Sequence, residues 1–219
     1  MIVQLPKGIP VGTRGPDSQV RLRCPVCRHL ATFDPVASAE DVMFGGIKSY
    51  PIATYLGQRV CPNTDCRTHI FFVMRQDQIL ASYPPELIDF DTTNIPEKIV
   101  STLAEAIVCH ANGCYTAAGM MVRKTLEEMC HERGATGHTL KARLEALRTL
   151  VVLQPELIEG MTELRFLGND AAHVESHEYD SIGKDEIELA IDLTKLVLQA
   201  LYQTASLLDR LRARKKQSS

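Results

Sequence analysis

No apolar run in this chain approaches the roughly 18 residues that a membrane-spanning helix needs. The N-terminus, M-I-V-Q-L-P-K-G-I-P, lacks the charged and then apolar regions of a secretory signal. The protein is therefore expected in the cytoplasm, with no membrane partner. Also missing are G-x-x-x-x-G-K-[ST], G-x-G-x-x-G after a strand, the G-x-S-x-G elbow and His-Glu-x-x-His. Their absence removes the commonest nucleotide-binding, serine-hydrolase and metalloprotease readings. Neither Gly (13) nor Pro (11) is in excess among 219 residues, so the composition is that of a globular protein.

An excess of one charge is missing too. The formal net charge of −3 argues against a generally basic nucleic-acid coat. Its distribution is uneven: nine Lys/Arg against six Asp/Glu in residues 1–80, and fifteen against twenty-one in residues 81–219. Arg210, Arg212, Arg214, Lys215 and Lys216 then crowd the end. A polyanion would be met by the N-terminal part or by this tail rather than by the acidic middle.

The chain changes texture along its length. Residues 1–19, with Pro6, Gly8, Pro10, Gly12, Gly15 and Pro16, show no periodicity and form a flexible lead-in. Residues 20–81 read as short strands and turns, with strands at Val20 to Arg23, Leu30 to Phe33, Tyr55 to Val60 and His69 to Arg75. Residues 82–95, with Tyr83-Pro84-Pro85, form a linker or a strap. Residues 96–210 are helical by pattern, in five helices, and 211–219 are a basic tail. The fold class is α+β: a small β module followed by an all-α bundle.

Four of the seven cysteines fall in two close pairs, Cys24-Pro-Val-Cys27 and Cys61-Pro-Asn-Thr-Asp-Cys66. Thiolates at such spacings in a turn bind one ion together, and zinc takes four ligands in a tetrahedron. A strand region this small has little core of its own, so a structural Zn2+ on Cys24, Cys27, Cys61 and Cys66 would supply missing stability. His29 and His69, beside the pairs, are substitute ligands; redox-active thiols and reduced bystanders are the other readings. Cys109, Cys114 and Cys130 read as small hydrophobes on or beside helices.

In the fourth helix, Arg165, Asn169 and His173 follow one another at four-residue steps and share a face. A guanidinium, an amide and an imidazole are costly to bury without partners. They form either a polar network that fixes packing or a catalytic group. Arg123 pairs with Glu127 at i+4 or faces that line, and His173 and His177 have the spacing of a metal pair on a continuous helix.

The succession CPxC, CPN-x2-C, YPP, N-I-P-E-K-I, A-N-G-x-Y-T-A-A-G-M-M-V-R and L-R-x-L-G-N-D-A-A-H resembles domain-of-unknown-function family 4145. That family is grouped with the HEPN helical bundles and also occurs fused to restriction-modification proteins. The resemblance implies a zinc-ribbon-like module at 20–81 and a HEPN-like bundle at 96–210 that forms a homodimer. It also implies RNA or DNA, or a restriction or phage-defence protein, as partner. Many HEPN domains are metal-independent ribonucleases with four to six residues between an Arg and a following His. Here seven residues separate Arg165 from His173, and Gly168 stands where the usual arginine falls. Two functions follow as expectations. The first is a dimerising module that binds nucleic acid or a partner, using Arg21, Arg23, Arg28 and Arg67. The second is an endoribonuclease with His173 as acid and base, Arg165 stabilising the phosphate and Asn169 assisting.

Overall fold

A computed structural model describes residues 9–14, 19–36, 39–49, 51–170, 182–204, 206–207, 211 and 214, with backbone alone at 14 and 165–170. It is mixed α+β, with an antiparallel sheet followed by helices. The chain divides into two compact units, Met1–Asp89 and Phe90–Ser219. The division lies inside the 82–95 segment.

Among the described residues the first unit contains seven strands: β1 (Val11–Arg14), β2 (Val20–Arg23), β3 (Leu30–Pro35), β4 (Asp41–Phe44), β5 (Thr54–Val60), β6 (His69–Arg75) and β7 (Gln78–Tyr83). β5 organises them. One of its edges is shared by β4, paired at residues 54–56, and by β3, paired at Arg59 and Val60; β6 runs along the other edge for its whole length. β1 extends the sheet beyond β4, β2 beyond β3 and β7 beyond β6. Alternation then sorts the side chains. Ile70, Phe72 and Met74 of β6 turn inward onto Val20, Leu22 and Phe33, while Phe71 and Val73 face outward.

Three of these strands depart from the sequence reading. The lead-in is not uniformly irregular, since Val11–Arg14 pairs with β4 in register Val11↔Phe44 to Arg14↔Asp41. Unlike VRLR, neither VGTR nor DVMF alternates apolar with polar residues, and only pairing with β5 and its neighbours defines them. β7 carries the sheet to Tyr83, past the expected boundary at 81. It returns through Gln76-Asp77, both at positive φ (47° and 64°), the form of a two-residue hairpin turn usually built from Asn-Gly.

The second unit holds α1 (Glu97–Ala111), α2 (Tyr115–Glu132), α3 (Leu140–Leu150), α4 (Pro155–Asp170) and α5 (Lys184–Leu198), with a π-helical turn at Gln199–Thr204. α2 packs against all four other helices. Its Ala118 and Gly119 keep one buried stretch small, and Val122, Leu126 and Met129 continue that face into the core. Ile99, Leu103 and Ile107 of α1, Leu140, Leu144 and Leu147 of α3, and Ile187 and Ile191 of α5 are buried with it. α3 begins where the Thr139 hydroxyl accepts the Ala142 N–H at 3.2 Å, the standard N-cap bond. α5 widens into the π-turn, whose Tyr202 is held by the end of α2. There the Tyr202 hydroxyl donates to Glu132 at 2.6 Å, and the Arg133 guanidinium stacks 4.2 Å from its ring. Arg214, in the segment read as a tail, is helical.

The 82–95 segment is shared. Residues 84–89 belong to the first unit, where Glu86 accepts the Arg23 N–H. In the second unit the Asp91 carbonyl accepts from Gln203, and Asn94 donates to Ser206.

Candidate metal centre

Each cysteine pair sits in the turn of an antiparallel hairpin. Cys24 to His29 joins β2 to β3, and Cys61 to Thr68 joins β5 to β6. The two turns close alike: the Cys24 N–H donates to the His29 carbonyl and the Cys61 N–H to the Thr68 carbonyl, both at 2.9 Å. In each turn the residue after the second cysteine takes the left-handed conformation, Arg28 at φ 62° and Arg67 at φ 48°. That reversal of the backbone carries the chain from each second cysteine into the returning strand.

β3 joins β5 at Asp34↔Val60, which brings the two hairpin ends together. All four sulfurs lie within 4.8 Å of one another. The closest approaches, Cys24 to Cys66 and Cys27 to Cys61, are both 3.7 Å, so each takes one sulfur from each hairpin. Ligands about 2.3 Å from a tetrahedral zinc stand about 3.8 Å apart, and the observed spacing matches that figure. Cys24 and Cys61 are buried; Cys27 and Cys66 are half-buried. The donor set therefore fits one tetrahedral, thiolate-binding ion. Of the substitute ligands considered, His69 is engaged elsewhere, its Nδ1 lying 2.7 Å from Gln58 Nε2.

The four thiols are not equivalent. Burial pushes Cys61 up to about 12, with the neighbouring Cys27 and Cys24 sulfurs adding to it against a lowering backbone bond from Asn63. Cys66 is held down at about 6, chiefly by the Thr68 hydroxyl 3.0 Å away. An ion bound here would displace a proton from Cys61, while the Thr68 hydroxyl favours the thiolate form of Cys66. Thr68 escaped the sequence reading; its only signal is its place two residues after the last cysteine.

Three of the four arginines considered as nucleic-acid contacts are tied into this fold. Arg23 donates to the Arg28 carbonyl at 2.9 Å and pairs with Asp89 at 3.4 Å. Arg28 reaches the Leu87 and Ile88 carbonyls, both at 3.3 Å, and so clasps residues 84–89 over the first turn. Arg67 bonds Asp34 at 3.2 Å and the Cys61 carbonyl at 3.4 Å. Arg21 is exposed.

The outward face of the sheet is of another kind. Val42, Leu56, Phe71, Val73, Ala81 and Tyr83 line an apolar groove of about 430 Å3. Phe71 and Tyr83 are cross-strand partners, 55% and 70% exposed.

In the helical unit, Arg165 and Asn169 lie on α4, where only the backbone is described, and His173 and His177 lie outside the described residues. Arg123 makes the intrahelical pair with Glu127, at 3.2 Å.

A family model, "Domain of unknown function (DUF4145)", matches residues 104–214, about half of the chain. The chain belongs to the DUF4145 family. No curated protein and no solved structure matches it. The DUF4145 match begins within α1 and covers the rest of the helices, including Arg123, Arg165, Asn169 and His173. The four clustered cysteines fall outside it. Among the described residues, no helix is long and apolar enough to cross a membrane.

Proposed function

We propose that this DUF4145 protein is a zinc-binding interaction module rather than a zinc enzyme. The sheet unit holds one Zn2+ on Cys24, Cys27, Cys61 and Cys66 in the manner of a zinc ribbon, and the helical unit is a HEPN-like bundle that forms a homodimer. The observation that carries this reading is the closed thiol tetrahedron, with two 3.7 Å approaches that each span both hairpins. Four protein ligands leave no open position for substrate or water, so the ion's contribution is to cross-link the hairpins. What the cross-link supports is the sheet, and the apolar groove beside Phe71 and Tyr83 is the surface it offers. An exposed apolar patch of that kind suits a partner protein. Because Arg23, Arg28 and Arg67 are engaged internally, a partner protein is favoured over RNA or DNA. The restriction and phage-defence setting, in the cytoplasm, rests on the family resemblance alone.

Metal analysis of the purified full chain tests the centre. About one zinc per chain is expected, falling to near zero in Cys61→Ser. A wild-type chain without zinc after folding in its presence overturns it.

The endoribonuclease reading keeps one support: Arg165 and Asn169 fall four residues apart on α4, in sequence line with His173. On that reading His173 moves the proton of the RNA 2′-hydroxyl and Arg165 neutralises the phosphate. RNA cleavage without added divalent metal, abolished by His173→Ala, is the result it requires. Equal cleavage by the two proteins, or none by either, removes it.

A further inference from the structure

The turn between α1 and α2 carries two cysteines that the metal centre does not use. α1 ends in a Schellman cap. Gly113, at φ 75°, donates its N–H to the His110 carbonyl at 3.0 Å, and Cys114 donates back to the Cys109 carbonyl at 2.9 Å. In this cap the residue after the left-handed position and one in the last helical turn frequently pack side chain to side chain, although Cys114 Sγ here lies 3.9 Å from the Asn112 carbonyl. Here both are cysteine. Backbone dimensions and the 2.9 Å bond hold their Cα atoms at most about 6.8 Å apart. Disulfides span Cα separations of about 4.4–6.8 Å. The two thiols also feel each other: burial first, then Cys114, then Glu105, pushes the Cys109 thiol up.

Their settings differ in a useful way. Cys114 is exposed and is the N-cap residue of the 18-residue helix α2, whose amino end carries partial positive charge. Cys109 is half-buried in the last turn of α1. One thiol is accessible to a reagent from solution, and the other is placed to resolve what forms there.

We propose that Cys109 and Cys114 are a redox modification site, a dithiol that a small-molecule disulfide such as oxidised glutathione converts to an intramolecular disulfide. The Cys114 thiolate attacks one sulfur of the reagent. A bond forms between Cys114 and that sulfur, the reagent's S–S bond breaks, and the first glutathione leaves as a thiolate. Cys109, its proton passed to solvent, then attacks the Cys114 sulfur; the mixed disulfide breaks and the second glutathione leaves. The two protein thiols lose two electrons, the reagent gains them, and the two protons released are taken up by the two glutathione thiolates. The loop closed by the new bond is already closed by the cap's own hydrogen bonds, so little chain entropy opposes it.

The test uses the full, zinc-loaded chain. It is incubated with oxidised glutathione, remaining thiols are alkylated, and the protein is cut with trypsin. The peptide from Ile99 to Arg123 contains Cys109 and Cys114 and no other cysteine. It should appear two hydrogens lighter than its reduced form, without alkyl group or glutathione, and revert on treatment with a dithiol. In Cys109→Ser the reaction should stop at one glutathione on Cys114. In Cys114→Ser, Cys109 should remain alkylatable under the same conditions. A wild-type peptide that stays doubly alkylated, keeps a stable glutathione, or is joined to a different peptide overturns the proposal. The wild-type readout decides the matter even where a variant folds poorly.

Discussion

Arg59 grips Asp41 with two hydrogen bonds of 2.7 Å, and each side chain is only 1% exposed. The same guanidinium donates to the Gln58 carbonyl and stacks 4.7 Å from the Phe72 ring. The pair fastens the start of β4 to the end of β5, the strand on which the whole sheet is assembled. Removing one partner would leave the other charge buried without compensation, at a cost of about 3–5 kcal/mol. Asp41→Ala should therefore lower the urea midpoint of the sheet unit strongly. Replacing both residues with apolar ones of similar volume should cost clearly less than Asp41→Ala alone. Equal loss in the two proteins would contradict this account.

Gly57 lies under that pair. A Cβ built there would fall on the Asp41 carboxylate and 2.8 Å from the Phe72 ring. Gly57→Ala should destabilise the sheet unit by about 1–3 kcal/mol, the usual range for overpacking. Hydrogen exchange should show the loss around β4 and β5 while the helices keep their protection.

Metal removal should act selectively. The first unit's core cluster is small and includes Cys24 and Cys61 themselves. Chelation, or Cys61→Ser, should lower protection across β2, β3, β5 and β6 and leave α1 to α5 protected. Thr68→Val, which removes the hydroxyl beside Cys66, should weaken metal affinity about 10–100-fold, as loss of a group supporting a ligand does. A competition titration with a chromophoric chelator reads that change directly.

At the other end of the chain, Tyr202→Phe loses the bond to Glu132. A hydrogen bond to a charged group contributes about 1.5–3 kcal/mol, and thermal unfolding of the helical unit should register that loss. Burial first, and then Glu132, pushes the Tyr202 phenol up. A pKa higher in the folded state than unfolded stabilises below the unfolded value, near about 10, and is lost as pH rises through the folded one. The alkaline decline in stability should therefore be shallower in Tyr202→Phe than in the wild type.

Thr139→Ala tests the helix cap. Loss of the hydroxyl bond to the Ala142 N–H should cost about 1 kcal/mol, with Thr139→Ser recovering most of it. Equilibrium unfolding in urea is the measurement.

Much of this was legible in the residues. Cys24, Cys27, Cys61 and Cys66 announced a four-thiol cluster by spacing, and His69 to Arg75 announced β6 by its β-branched and aromatic run. The helical pattern of 96–210 holds in α3, where Leu140, Leu144 and Leu147 are buried, and of the two readings of Arg123 the intrahelical pair with Glu127 is the one formed. Asp41 and Arg59 were illegible, because nothing in a local window says that two charges eighteen residues apart will be buried together. β1 and β4 were lost for a related reason: VGTR and DVMF do not alternate as VRLR of β2 does, so only their strand partners define them. Gln76-Asp77 hid the return into β7 by building its turn without asparagine or glycine.

The arginines mark the boundary most clearly. By itself the sequence determined that Arg23, Arg28 and Arg67 flank the cysteine turns and give the first eighty residues a positive balance. Residue type and neighbour spacing are local properties, and the sequence carries them whole. Only the tertiary structure decided what those charges face. Pairing β3 with β5 brings the two turns together and lays residues 84–89 beside Arg23 and Arg28, while Arg67 meets Asp34. Whether a cation is offered to solvent or used to fasten the fold depends on partners distant in sequence, and those are chosen by strand pairing.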